Sequence, residues 1–211
     1  MTHFLPLFPL ELVVYPGEKL NLHIFEPRYK QLIREVEHNK TTFGIPASIN
    51  EKVMPMGTEL RLLSIEKRYN NGSLDIKTKG IGIFKTEQFY DEAPGKLYPG
   101  ADIKRITLID DSDLIINEKI LTKIEELFGL LKIDKKTPKS PSIFRIFDVA
   151  HFIGLNIEQE YALLTLPTEL ERQDFVLKHL ERLIPIVKNI EESKKRAKLN
   201  GHFKHLKPPK F

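Results

Sequence analysis

The stretch Leu5-Pro-Leu-Phe-Pro-Leu-Glu-Leu-Val-Val-Tyr-Pro-Gly-Glu-Lys-Leu-Asn-Leu-His-Ile-Phe-Glu-Pro-Arg-Tyr29 decides the fold. Leu10 to Tyr15 is an apolar, valine-containing run between prolines, the composition of a strand. Pro16-Gly17 marks a turn. Leu20, Leu22 and Ile24 alternate with polar residues, the period of a half-buried strand. Pro27 fits the first turn of a helix, where its missing N–H costs nothing. Tyr29, Leu32, Ile33 and Val36 then give that helix one apolar stripe. The stretch carries no nucleophile, phosphate loop or metal spacing.

Beyond it, strand patterns continue. Phe43 to Ile49 reads as a strand that Pro46 confines to an edge or a bend. Glu59 to Tyr69 and the run from Leu74 flank Asn70-Asn71-Gly72, whose tolerance of positive φ favours a tight hairpin. Gly80 and Gly82 predict a bulge or sharp bend, continuing to Phe84. Asp91 to Gly100 is a loop, and Ala101 to Ile109 a closing strand. From Asp110 the period turns helical, with Ile120, Leu121, Ile124, Leu127, Phe128 and Leu131 on one face and Asp110 to Asp113 placed to cap it. Lys132 to Ser142 reads as a polar loop. Ile143 to Ile153 reads as a short helix ended by Gly154. Asn156 with Gln159, and Thr168 with Glu171, are capping boxes for two more helices. The last has Leu170, Leu177, Leu180, Ile184 and Val187 inward and a kink at Pro185. The expected class is α+β, with residues 1–109 β-rich, 110–198 helical and 199–211 a basic, mobile tail.

Composition narrows the functions. The chain of 211 residues has 41% hydrophobic and 29% charged residues and no cysteine. That suits a cytoplasmic globular protein and excludes disulfides and thiolate chemistry. No secretory signal or membrane span is read. The net charge is +4, but residues 194–211 contain seven Lys or Arg and no acid, so the preceding body carries 4 − 7 = −3. No Gly-x-x-x-x-Gly-Lys-[Ser/Thr], His-Glu-x-x-His or Gly-x-Ser-x-Gly string occurs. Ser64, Ser112 and Ser142 have no evident partner. No cofactor and no metal are expected; His202 and His205 have a ligand-like spacing but no third ligand nearby.

The order Leu5-Pro-Leu-Phe-Pro-Leu, Tyr15-Pro-Gly17, His23-Ile-Phe-Glu-Pro-Arg-Tyr29 resembles the opening of the Lon protease amino-terminal, substrate-binding domain family. Gly57-Thr58 through Gly80-Ile-Gly-Ile-Phe84 is similar to the family's second block, with Gly82-Ile83 where the family usually has Arg or Lys before its Phe. The helical half matches in layout, with a Thr168-Glu-Leu-Glu-Arg172 echo. The resemblance implies a PUA-like curled sheet or pseudo-barrel followed by a helical bundle with a long last helix. It also implies recognition of unfolded or damaged polypeptides for a protease. The ATPase and Ser-Lys peptidase parts are missing from these residues, so the chain resembles a stand-alone, non-enzymatic form of the domain.

Tyr15, Phe25, Phe89, Tyr90 and Tyr98 are aromatic candidates for peptide capture, with Glu26 and Arg28 for a charged terminus; a structural salt bridge is the plainer role for Glu26 and Arg28. Expected partners are unfolded polypeptides and a protease or chaperone complex, acting in protein quality control. The alternative is a PUA-like RNA-associated protein using Lys194, Lys195, Arg196 and Lys198, although basicity confined to a tail argues against a nucleic-acid surface.

Overall fold

The computed structural model describes residues 3–134 and 140–202, with side chains to 197. It divides into two compact units. The first runs to Asp110 and includes Ala150–Glu169; the second is Asp111–Val149 with the chain from Leu170.

The first unit is one antiparallel sheet of β1 (His3–Pro6), β2 (Lys19–Ile24), β3 (Thr42–Ile49), β4 (Lys52–Arg68), β5 (Leu74–Tyr90) and β6 (Gly100–Ile106), with helix α1 (Pro27–Asn39). Strand order is β1-β6-β5-β4-β3, and β2 pairs with β5. Parallel bridges Leu7↔Gly44 and Leu10↔Ala47 join the first strand's continuation to β3 and curl the sheet towards closure. The 17-residue strands β4 and β5 are bent by bulges, one of them at Ile81, between the partner pairs Leu60↔Gly80 and Glu59↔Gly82. Gly80 is needed there, because a Cβ would lie 2.5 Å from the Tyr15 carbonyl oxygen. The hairpin turn closes as expected, with Gly72 at φ +78°. The α1 stripe Tyr29, Leu32, Ile33 and Val36 packs on Ile24, Phe43, Ile45, Leu60, Leu74 and Ile76. Each such side chain contributes about 1.5–3 kcal/mol.

The strand expected at Leu10 to Tyr15 does not form; the strand of this opening stretch is His3–Pro6, paired with β6. The apolar run is instead a largely buried cover whose backbone pairs with β3 only at Leu10 and is met further on by side chains. Thr58 Oγ1 donates to the Val14 carbonyl, and the Tyr15 N–H donates to Glu18 Oε2 at 2.9 Å. Flanking Pro9 and Pro16 supply no N–H for a ladder. In the same unit, helix α3 (Ile157–Thr165) opens with the Asn156–Gln159 capping box.

The second unit contains α2 (Leu114–Leu131) and α4 (Glu169–His202, shared at its first residue with the other unit). Asp113 caps α2 by accepting from the N–H groups of Ile115 and Ile116. Gln173 Nε2 donates to Asn117 Oδ1 at 2.6 Å, a buried polar pair between the two helices. The expected helix from Ile143 to Ile153 is two 3₁₀ turns, Ile146–Asp148 and Ala150–Phe152. Asp148 draws the Arg145 N–H at 3.1 Å, and the β-branched, aromatic sequence is a poor helix former. The inward stripe of α4 is Val176, Leu180, Ile184 and Val187, while Leu170 is exposed. Pro185 stands inside the continuous helix.

Candidate functional site

Where β1 and β3 separate ahead of the Leu7↔Gly44 bridge, the first unit holds a cleft of about 900 Å³. One wall is His3 to Pro6 at the free side of β1. The others come from the last turn of α1 with Lys40 to Thr42, from Glu59 and Arg61 of β4, from Ile81 to Ile83, and from Arg105 to Thr107. Phe4 and Ile81 are among the lining residues, at 44% and 40% accessibility, and the Phe4 ring also covers Gly100 on the neighbouring strand.

The cleft floor is polar and already neutralised. Glu59 is 2% exposed. Arg105 donates from Nε and Nη2 to its two oxygens at 2.7 and 2.8 Å, and Thr42 Oγ1 donates at 2.5 Å. Burial pushes the Glu59 carboxyl up, but the Arg105 and Thr42 hydrogen bonds outweigh it and hold the group below the usual carboxylate range. Glu35, the other acid in the wall, accepts from Lys96 Nζ at 2.8 Å and Tyr98 Oη at 2.6 Å. His3 Nε2 is a buried nitrogen without a hydrogen-bond partner among the described residues. Opposite Glu59 in the ladder stands Gly82, and nothing lies within 4 Å of the position its Cβ would take. Cross-strand partners share a face, so a side chain at 82 would enter the cleft beside Glu59.

A second cluster fastens residues 150–165 to the Tyr15 turn. His151 places Nδ1 2.8 Å from Glu160 Oε1 and Nε2 3.2 Å from Glu18 Oε2. Its ring lies 4.8 Å from that of Tyr15, whose hydroxyl donates to the Glu160 carbonyl at 3.1 Å. Burial pushes the imidazole pKa down, the two carboxylates pull it up, and the balance is about 9. At neutral pH His151 is an imidazolium that donates from both nitrogens.

The residues expected to bind peptide are not brought together. Tyr15 and Tyr98 are core residues, 0% and 2% exposed, so neither ring is free to face a ligand; Tyr98 reaches the cleft only as part of its wall. Phe25 is 61% exposed, next to the exposed Arg28–Glu26 pair (2.9 Å) at the entry to α1. Phe89 packs against Leu5, Leu7 and Phe84, and Tyr90 donates to Asp102 at 2.8 Å, both at the far end of β5. Lys194 pairs with Glu191 at 2.7 Å and Arg196 with Glu192 at 3.9 Å on α4, and Lys195 is exposed. The side chains of Lys198 and His202, and the tail from 203 with His205, lie outside the described residues. The cleft residues Phe4, Arg61, Ile81 and Arg105 escaped the sequence reading. The available signal was Glu59 interrupting a strand-like run, which pointed to a buried acid needing a cation.

Among the described residues no group of three His, Asp or Glu could hold a metal ion, and no helix is long and apolar enough to cross a membrane. Comparison with curated proteins found no match. Among solved structures, the Lon N-terminal domain protein from Xanthomonas campestris superimposes with a TM-score of 0.62 at 20% identity, covering 87% of this chain and 98% of that one. The N-terminal domain of the Mycobacterium avium complex Lon protease gives 0.62 at 12% identity, covering 85% and 98%. The sequence family described as the ATP-dependent protease La (LON) substrate-binding domain matches residues 4–182. With its opening motif, its curled sheet and that match in agreement, the chain belongs to the LON substrate-binding domain family.

Proposed function

We propose that this protein is a non-catalytic polypeptide-binding module that takes up exposed apolar segments of unfolded proteins and acts as an adaptor in protein quality control. The observation that carries the reading is the cleft beside β1. It offers a strand side free for main-chain pairing together with the apolar faces of Phe4 and Ile81, the two elements of peptide capture by strand addition. Family membership supports a polypeptide as the ligand class. The paired state of Glu59 and Glu35 supports binding over catalysis, since both carboxylates are held ionised by cations.

The test is capture of a chemically denatured model protein compared with its folded form, by wild type and by Gly82→Leu. The substitution has open space around it, so it fills the cleft while sparing the fold. Wild type should retain the denatured form selectively, and Gly82→Leu should lose on the order of tenfold or more in affinity. Equal binding of folded and denatured protein, or no binding, refutes the reading.

A further inference from the structure

We infer that the cleft is specific for the carboxyl-terminal end of a polypeptide, an inference that rests on the polypeptide-binding reading above and names the part of the chain that is bound.

The argument is one of charge and size. Glu59 is neutralised by Arg105, and Glu35 by Lys96. Arg61 and Lys40, also in the wall, make no side-chain hydrogen bond or ion pair among the described residues. The nearby acid on α1, Glu37, is occupied at both oxygens by Arg68. The cleft therefore presents two uncompensated cations. Arg61 sits two residues from Glu59 on the same face of β4 and opposite Thr42, and Lys40 is two residues before Thr42, so the cations stand at one end of the lining. The apolar contribution comes from Phe4 and Ile81.

A volume of about 900 Å³ is that of a small-ligand pocket, not of an extended protein interface. It holds a few residues. A few residues that end in an anion are the terminus of a chain. The α-carboxylate would meet Arg61 and Lys40 through charge-assisted hydrogen bonds, while the preceding side chains lie on Phe4 and Ile81 and the main chain pairs along His3 to Leu5.

The experiment uses an N-acetylated apolar hexapeptide of Leu, Ala and Phe, once with a free carboxylate and once as the amide, titrated against the full chain by fluorescence anisotropy. The acid should bind on the order of tenfold more tightly than the amide. The double variant Arg61→Gln/Lys40→Gln should bind both peptides at the amide's affinity. Both positions are outside the core, and an unchanged thermal midpoint checks that the variant is folded. Equal affinity of acid and amide overturns the inference, as does a preference that survives in the double variant. Failure of both peptides to bind while denatured protein is still captured also overturns it and leaves the broader reading standing. Loss of denatured-protein capture by wild type removes the broader reading itself.

Discussion

At the scale of single residues, His151 links a proton to the fold. Its pKa is about 9 in the folded chain, against roughly 6.5 for an unperturbed histidine. A group whose folded pKa is raised stabilises most below its unfolded value and loses that contribution as pH rises through the folded one. The His151 contribution is thus complete below about pH 6.5 and drains away towards pH 9 and above. The raised pKa corresponds to at most about 3 kcal/mol. Thermal midpoints measured from pH 6 to 10 should fall for wild type relative to His151→Gln, which lacks the titrating ring; parallel curves would show that the ring does not hold its proton. His151 lies in an apolar run of the sequence, which points to a hydrogen-bonded core or boundary histidine, and it is hydrogen-bonded in the fold. The sequence does not reveal Glu18 as its partner, because 133 positions separate the two and only the fold closes that distance.

At the scale of elements, the bend of β5 depends on a close approach. Gly80 sits where the bent β5 passes the Tyr15 carbonyl at a distance no Cβ tolerates. Gly80→Ala should cost about 1–3 kcal/mol through forced backbone movement, read as a lower denaturation midpoint with an unchanged slope. Gly82→Ala, in open space on the same strand, should fall within about 0.5 kcal/mol of wild type. Equal effects would mean that the strand's bend is not set by Gly80. Elements with local signals were legible in advance. The α1 stripe, the Asn-Gly hairpin, the Asp113 cap and the Asn156 box all rest on residues within a few positions of one another. The missed elements rest on distant ones. His3–Pro6 is a strand because β6 pairs with it, and the run from Leu10 does not continue as one because Thr58, 44 positions away, takes the Val14 carbonyl. Apolar composition alone cannot separate a buried cover from a strand.

At the scale of the whole molecule, the basic segment lies apart in sequence from the residues that line the cleft. Removing residues 194–211 takes away seven cations and no acid, changing the net charge from +4 to 4 − 7 = −3. Capture of denatured protein should survive this truncation at low and moderate salt. A loss of more than about tenfold would transfer the binding to the basic segment. The α+β class and the family were legible from the opening motif and the switch from a two-residue to a helical period, whereas the cleft was not, since its walls come from six separate stretches of chain. The pairing of His3 with Ile103 has a kinetic consequence as well. The ribosome must deliver about a hundred further residues before the first strand can find its mate, and closing so wide a loop costs about 4 kcal/mol in entropy. Docking of the amino terminus is therefore a late event, after the nucleation barrier. Leu5→Ala should hasten unfolding while leaving the refolding rate nearly unchanged, and slowed refolding would instead put the amino terminus in the nucleus. A nascent chain would then pass through an interval in which the cleft lacks the wall that His3 to Pro6 supply.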